Sequence, residues 1–256
     1  MKEIGVHLVK SGAVATLTLR NPQKLNALSQ NLWEAIPRRV AEAVNSDARV
    51  LIVTGDGKNF CAGADIGEFD TLRADPETAR LYEAANDAAF AALRNCPLPV
   101  IAKVQGICFG GGFGLAAACD LRIAAENARF SVPAARLGLA YPVEAMADIV
   151  ASVGAQNAKH LLFTAERFNA EQMADMGFLN QVVTAERLEE VVMDLVTRIA
   201  DLAPLTHRAT KAAIAAALGG DIARAERLGA DTFDSSDYAE GRAAFREKRK
   251  PRFTGR

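Results

Sequence analysis

The segment PVIAKVQGICFGGGFGLAAACDLRIA, residues 99–124, contains the pattern that decides the fold. Its first part belongs to a short apolar run over 98–104, which is typical of a buried strand. The triplet Gly110-Gly111-Gly112 follows, and FGLAAACD after it predicts a short, tightly packed helix. Glycines here let a backbone approach a ligand, and free N–H groups at a helix start bind negative charge. The same glycines also permit close packing of helix on strand, so both interpretations remain open.

A second loop of small residues, CAGADI at 61–66, follows another short apolar run at 49–54. One backbone N–H group from each loop, converging on a single oxygen, would form an oxyanion hole. Such a hole stabilises a carbonyl that gains negative charge in a transition state. The glycine triplet lacks the Lys-Ser/Thr of a P-loop and the spacing and downstream acid of a dinucleotide fingerprint. A nucleotide-binding module is therefore disfavoured.

Outside these loops the chain alternates between predicted strands and helices as far as about residue 183 and is helical afterwards. Strands are predicted at 4–10, 13–20, 49–54, 98–104, 121–125, 128–132 and 180–183. Helices are predicted at 29–44, 76–95, 142–164, 170–176, 185–201, 204–218, 221–235 and 238–249. The alternation favours βα crossovers and the α/β class. The alanine-rich C-terminal helices form either a small subdomain or an oligomer contact.

The composition is that of an ordinary globular chain of one or two domains. Of the 256 residues, 50% are hydrophobic and 24% are charged, which argues against a disordered chain. A net charge of −1 argues against a nucleic-acid partner. No apolar run reaches the roughly 18 residues of a membrane span, and no signal-peptide pattern is present. The four cysteines form no CxxC pair and the three histidines are scattered, so we expect a cytoplasmic protein without a metal site.

The two loops, taken in order, resemble the enoyl-CoA hydratase/isomerase (crotonase) superfamily. CAGADI and PVIAKVQGICFGGGFGLAAACDLRIA carry the resemblance most clearly. It extends through NPQKLNALS at 21–29, ARFSVPAARLGL at 128–139, FTAERFNAEQMADMGFLNQVV at 163–183 and AEGRAAFREKRKPRFTG at 239–255. Nearly the whole chain is covered, and this ordered set of motifs is specific.

The resemblance implies an α/β fold, namely a crotonase-like spiral of ββα turns with a C-terminal all-helical subdomain. It divides the chain into an acyl-CoA-binding spiral core over 1–195 and a helical subdomain over 196–256, used for oligomerisation and CoA contact. Subunits of this kind pack in trimers, often as dimers of trimers, so a homotrimer or homohexamer is expected. The implied ligand is a coenzyme A thioester as substrate, with no covalently bound cofactor.

The resemblance also assigns site residues by position. The backbone N–H groups of Ala64 and Gly111 would hold the thioester oxygen. The residues assigned to CoA are Ala62, Asp65, Ile66 and Gly67 along adenine and pantetheine, Lys24 and Leu25 near the CoA head, and Phe245 and Lys248, in the same or a neighbouring subunit. The chemistry that the family shares is a thioester enolate stabilised by the oxyanion hole.

The chain departs from the family at the two catalytic glutamates of its hydratases. Gly114 and Ala134 stand at those positions, and neither side chain can accept or give a proton. Isomerases of the family usually keep the second glutamate, which Ala134 also removes. Such a sequence would be named a hydratase, but isomerisation or another enolate reaction with one non-standard base is favoured. The alternative is an acyl-CoA-binding homologue with little or no activity.

Glu144 is the carboxylate that the sequence favours as the base. It follows Pro142, near the place where other family members put alternative catalytic acids. A structural role is the competing interpretation, because an acid in a first helical turn stabilises the helix dipole by roughly 0.3–1 kcal/mol. Glu68 and Asp70 are further candidates, and their alternative is a solvated helix face.

For three other residues near these motifs, a structural role is expected rather than a catalytic one. Cys61 has no histidine with a matching signature, so a small buried thiol is expected rather than a nucleophile. Asp120 is expected to cap a turn. Tyr141 is expected to form a cavity wall, with its hydroxyl as a possible hydrogen-bond donor.

Overall fold

The strands of the computed structural model, which describes residues 3–256, form two sheets. In chain order they are β1 (Gly5–Ser11), β2 (Val14–Arg20), β3 (Val50–Gly55), β4 (Val100–Val104), β5 (Ile107–Phe109), β6 (Leu121–Ala125), β7 (Arg129–Ser131), β8 (Phe168–Asn169) and β9 (Gln181–Val183). The larger sheet has the order β1-β2-β3-β4-β6-β9, and the smaller has the order β5-β7-β8. In the larger sheet β1 pairs antiparallel with β2, and each later pair is parallel.

Helices are interspersed with the strands as far as β9, and only helices follow after it. They are α1 (Gln30–Val44), α2 (Phe69–Leu72), α3 (Pro76–Arg94), α4 (Gly111–Ala117), α5 (Val143–Thr164), α6 (Ala170–Asp175), α7 (Leu188–Ala200), α8 (Pro204–Ala217), α9 (Ile222–Asp231) and α10 (Ser236–Glu247). In the described part of the chain, no helix combines the length and the apolar character needed to cross a membrane.

From β4 to β7 consecutive strands alternate between the two sheets, and this alternation produces a spiral. β4 of the larger sheet is followed by β5 of the smaller sheet and then by α4. The next turn repeats the order with β6, β7 and α5. This is the predicted spiral of ββα turns, and the C-terminal part is all helical, as predicted.

Most predicted elements are present, with bounds that differ by a few residues from the predicted ones. The sequence interpretation missed β5 and β8, which have three and two residues and are too short to show a hydrophobic period. The predicted helix from Pro142 to Thr164 is interrupted at Gly154, where φ is 74°.

Apolar side chains pack on both faces of the larger sheet. The main core contains Trp33, Phe90, Phe113, Phe130 and Phe178, and the Phe113 and Phe178 rings stack with centroids 4.4 Å apart. On the other face, α7 packs against β3, β4 and β6 through buried side chains as far as Ala200. The predicted boundary between residues 195 and 196 therefore falls inside a helix of the core, and the division into two domains remains a prediction.

The glycine triplet is required by backbone conformation at its first position and by packing at the other two. Gly110 has φ 49° and ψ −120°, a conformation that favours glycine. A Cβ atom on Gly111 would lie 2.7 Å from the Trp33 ring, and one on Gly112 would overlap the Cys61 carbonyl and lie 2.8 Å from Cys61 Cβ. The packing interpretation of the triplet is therefore correct, and it leaves open whether the exposed amides also bind a ligand.

We expect Gly112→Ala to lower the free energy of unfolding by about 2 kcal/mol or more, because overpacking typically costs 1–3 kcal/mol. The Cys61 carbonyl cannot retreat easily, since it accepts the Phe109 N–H at 2.9 Å. Gly229→Ala is the matched control: Gly229 lies in α9, where an added methyl group would meet no atom within 4 Å, and alanine there should add about 0.5–1 kcal/mol. Urea denaturation of both variants provides the measurement. Equal stability of the two would contradict the packing argument.

Candidate active site

The two glycine-bearing loops lie side by side. Cys61 and Cys108 form a parallel bridge, in which the Cys61 N–H donates to the Ile107 carbonyl at 2.9 Å. Two residues further on, Gly63 has φ +96°, and a Cβ atom there would lie 2.9 Å from the Phe109 carbonyl oxygen and 3.0 Å from the Gly111 nitrogen. The loop at 61–66 therefore contacts the start of α4 directly.

The Ala64 amide is left free by the way its neighbours pair. The Leu28 N–H donates to the Gly63 carbonyl at 2.8 Å, and the Asp65 N–H donates to the Leu28 carbonyl at 2.9 Å. In this parallel bridge the residues on either side of Ala64 make the bonds, so the N–H of Ala64 points the other way. Within residues 3–256 it has no hydrogen-bond acceptor.

The Gly111 amide is free because it begins α4, where N–H groups have no intrahelical acceptor. Nothing in the described chain accepts its hydrogen bond. The peptide that carries this amide is held at its carbonyl end, since the Gly110 oxygen accepts from the Gly114 N–H at 3.1 Å and from the Tyr141 hydroxyl at 3.0 Å. Gly110 N–H in turn donates to Ser131 at 2.8 Å. These hydrogen bonds of Gly110 therefore fix the orientation of the Gly111 N–H group.

Ala64 and Gly111 line one cavity of about 120 Å³, the central cavity. Its other lining residues are Trp33, Ala62, Gly63, Ile66, Phe69, Arg73, Glu83, Asn86, Phe90, Gly110, Pro133, Ala134, Leu137, Leu139, Ala140, Tyr141 and Pro142. Most of these walls are apolar, so a charge that develops inside is poorly screened by water. Two free amides facing such a space can stabilise an oxyanion.

The space beside Gly114 is already occupied. A Cβ atom on Gly114 would lie 2.5 Å from the Tyr141 hydroxyl oxygen and 2.8 Å from the Phe90 ring. Burial raises the pKa of Tyr141, which keeps its hydroxyl protonated at neutral pH. Ala134 lines the central cavity with a methyl group. Neither position supplies an acid, and the first has no room for one.

Glu144 lies in the first turn of α5 but is not among the residues that line the central cavity. Its carboxylate pairs with Arg94 at 2.7 Å, and its side chain is 64% exposed. Arg94 also pairs with Asp148 at 2.7 Å, which ties α3 to α5. The structure therefore places the expected base in a surface ion pair, and its catalytic role remains a prediction.

The other candidate acids have structural contacts or lie in solvent. Glu68 accepts the Gln30 N–H at 2.8 Å and so caps α1, where Ser29 at the N-cap position makes no side-chain hydrogen bond. Asp70 is exposed. Asp120 accepts the Val100 N–H at 2.7 Å and pairs with Lys211 at 2.8 Å, consistent with a structural role.

Cys61 is buried, and its burial raises the pKa of the thiol to about 12, although a hydrogen bond with the Gly63 backbone opposes the shift. The thiolate is the nucleophilic form, so it is not populated near neutral pH. Cys61 therefore packs beneath the loop, as expected, and carries no nucleophilic role.

The residues assigned to CoA fall into two places. Lys24 Nζ donates to Asp65 at 2.5 Å, and the Ala62 N–H donates to the Leu25 carbonyl at 3.0 Å, which joins their two segments into one surface. Gly67 belongs to this surface through its N–H bond to Asp65 at 3.1 Å, and Ile66 is exposed on it. Phe245, 88% exposed, lines a different cavity among the C-terminal helices, and Lys248 follows α10.

Three polar residues of the central cavity were missed from the sequence. Glu83 and Asn86 lie on α3, and Arg73 lies just after α2. A signal was available for Asn86, which interrupts the buried apolar stripe of α3 between Tyr82 and Phe90. A polar residue on a buried stripe requires a partner, and here its amide donates to Glu83 at 3.4 Å.

A ββα spiral with two free amides over an apolar cavity defines a class of enzymes that act on acyl thioesters. The family described as enoyl-CoA hydratase/isomerase matches residues 9–256. The chain is 38% identical to the crotonyl-CoA hydratase of Syntrophomonas wolfei over 253 residues, covering 96% of each chain. It is 34% identical to the short-chain-enoyl-CoA hydratase of Clostridium acetobutylicum, covering 96% of this chain and 95% of that one.

A solved structure of an enoyl-CoA hydratase/isomerase family protein from Hyphomonas neptunium superposes with a TM-score of 0.94, at 36% identity and 98% coverage of each chain. The chain belongs to the enoyl-CoA hydratase/isomerase family, whose members act on CoA thioesters. The predicted family and the crotonase-like α/β fold are confirmed.

Proposed function

We propose that the protein isomerises an enoyl-CoA thioester through an enolate whose oxygen is held by the Ala64 and Gly111 amides. The observation that carries this proposal is the pair of free N–H groups in a cavity that lacks the two carboxylates of a hydratase. Amides that are already oriented stabilise the negative charge of the enolate without reorganising during the reaction.

Isomerisation fits the cavity better than hydration does. Hydration needs a base that activates water and an acid that protonates carbon, whereas a 1,3-proton shift needs one group that takes a proton from one carbon and returns it to another. Gly114 and Ala134 remove both usual carboxylates, and Tyr141 and Phe90 fill the place of the first. One remaining base is sufficient for the shift.

The surface of Lys24, Leu25, Ala62, Asp65, Ile66 and Gly67 is proposed to bind coenzyme A. It adjoins the central cavity, since Ala62 and Ile66 belong to both. In this arrangement CoA lies outside and its acyl chain enters beside Ala64. Phe245 and Lys248 are proposed to contact CoA, in the same or a neighbouring subunit, and the protein is proposed to work in the cytoplasm.

A second candidate function is acyl-CoA binding with little or no turnover. It is favoured by the position of Glu144, the expected base, in an ion pair with Arg94 at the surface. If no group removes a proton from the bound acyl chain, the free amides bind the thioester carbonyl and no turnover follows.

We expect crotonyl-CoA hydration to be very slow, since each general acid or base contributes typically 10²–10⁴-fold and two are missing. The same preparation should convert a 3-enoyl-CoA to the conjugated 2-enoyl-CoA, followed by absorbance, and should exchange the C2 protons of butyryl-CoA in D₂O, followed by NMR. Rapid hydration would overturn the isomerase proposal. Thermal stabilisation by acyl-CoA without exchange or isomerisation would establish the binding-only alternative.

We expect coenzyme A and its esters to raise the melting temperature by mass action, by an amount equivalent to about 2.7 kcal/mol at 100 times Kd. Lys24→Ala should weaken binding about two- to fivefold, in the range of an exposed charge contact of 0.2–1 kcal/mol. Lys10→Ala is the control, because Lys10, near the end of β1, also forms an ion pair with an aspartate, Asp47, which follows α1. Identical affinity in both variants would contradict the proposed CoA surface.

The alanine-rich helices α8–α10 are proposed to pack subunits into a homotrimer or homohexamer. In the described chain they leave Ile214, Leu218, Phe233 and Phe245 largely exposed, which is more apolar surface than an isolated subunit needs to show. Light scattering at micromolar concentration should give three or six times the subunit mass of 27.3 kDa. A single-subunit mass would remove this proposal.

A further inference from the structure

Among the described residues that line the central cavity, one carries a carboxylate, and it is Glu83. It lies in the middle part of α3, on a different element from either usual catalytic position. Its side chain is 33% exposed, and the residue contributes to the cavity wall. A base in this cavity would have to be Glu83 or a group brought in from outside.

We propose that Glu83 is the catalytic base that moves the proton in the isomerisation. The inference rests on the proposed function and names the group that this function requires. Its support is the shared cavity, which Glu83 lines together with Ala64 and Gly111, and the contacts that hold Glu83 in place.

Arg73 forms an ion pair with Glu83 and holds its carboxylate in place. One guanidinium nitrogen pairs with Glu83 Oε1 at 2.5 Å, and the Arg73 side chain is only 8% exposed. The guanidinium carbon lies 4.3 Å from the centroid of the Phe69 ring and 4.4 Å from that of Tyr82. These cation–π contacts and the low exposure hold the arginine still, so it fixes one carboxylate oxygen.

The second oxygen of Glu83 remains available for chemistry. Its one contact in the described chain is a long one, from the Asn86 side-chain amide at 3.4 Å. Asn86 is buried, and its own Oδ1 atom has no partner in the described chain. The contact orients Oε2 without satisfying it, and a carboxylate oxygen with spare acceptor capacity can take a proton from carbon.

The proposed step balances without another reactant. Oε2 of Glu83 takes a proton from C2 of a 3-enoyl-CoA, and the C–H electron pair forms a double bond between C2 and the thioester carbon. The carbonyl electrons move to the oxygen, where Ala64 and Gly111 hold the negative charge. The protonated Glu83 then returns its proton to C4 as the electrons flow back, which leaves the conjugated 2-enoyl-CoA and an unchanged carboxylate.

The test compares Glu83→Gln with Glu144→Gln in the full-length protein. Glutamine keeps the shape and an acceptor for Arg73 but cannot take the proton. We expect Glu83→Gln to lower kcat for isomerisation and the rate of C2–H exchange by about 10²–10⁴-fold, while Kd for butyryl-CoA changes less than threefold. Glu42→Gln is the control, because it removes an exposed carboxylate of α1 that pairs with Arg39, and it is expected to stay within threefold of the unmodified protein in every measurement. A loss of turnover in Glu144→Gln instead would assign the base to Glu144.

Glu83→Asp guards against a folding artefact, because it retains a carboxylate on a shorter stem. It should keep more exchange activity than Glu83→Gln at equal thermal stability, a difference that a purely structural role would not produce. Full turnover in Glu83→Gln, or loss of turnover confined to Glu144→Gln, would overturn the assignment while leaving the isomerase proposal intact. Failure of the unmodified protein to exchange or isomerise any acyl-CoA would instead remove the proposed function itself.

Discussion

The close approach of two loops is the constraint on which the rest of the site depends. Gly63 can approach the start of α4 only because it has no side chain and φ +96°, and Gly112 can lie against Cys61 for the same steric reason. The bridges from Cys61 to Cys108 and from Ala64 to Leu28 hold the loop in this position with ordinary backbone bonds. Since those bonds use the peptides beside Ala64, the packing that brings the loops together also frees the amide.

A tyrosine hydroxyl supports each loop: Tyr141 bonds the peptide that carries the Gly111 amide, and Tyr82 bonds Leu28, the bridge partner of Ala64. Tyr141 donates to the Gly110 carbonyl, which is the other end of the peptide that carries the Gly111 N–H. Tyr82 donates to the Leu28 carbonyl at 3.2 Å, and burial raises its pKa to about 12, so it remains a donor. Hydrogen bonds in a row polarise one another, and a bond at the carbonyl end makes the N–H a somewhat better donor. The apolar cavity is thus backed by a second layer of polar contacts.

The sequence predicted the fold better than the position of the cavity carboxylate, for physical reasons. Buried strands, helical periods and a glycine triplet are local signals, and β5 and β8 were missed because two or three residues carry no period. Which carboxylate faces the cavity is a long-range property. Glu144 looked suitable from its neighbours along the chain, but Arg94 on α3 holds it at the surface, while Glu83 gave no local signal except its nearness to the buried Asn86.

The relocation of the base from the glycine loops to α3 also explains why Gly114 and Ala134 can be small. A carboxylate beside Gly114 would have to displace Tyr141 and Phe90, and with Tyr141 the second hydrogen bond to the Gly110 carbonyl would be lost. Glu83 lines the same cavity from α3 and pairs with the positive charge of Arg73. Arg73 in turn contacts the rings of Phe69 and Tyr82 rather than the two glycine-bearing loops. The Gly111 amide on α4 and the base on α3 are therefore carried by different elements, whereas Tyr82, next to Glu83, connects the base to the loop of Ala64 through Leu28.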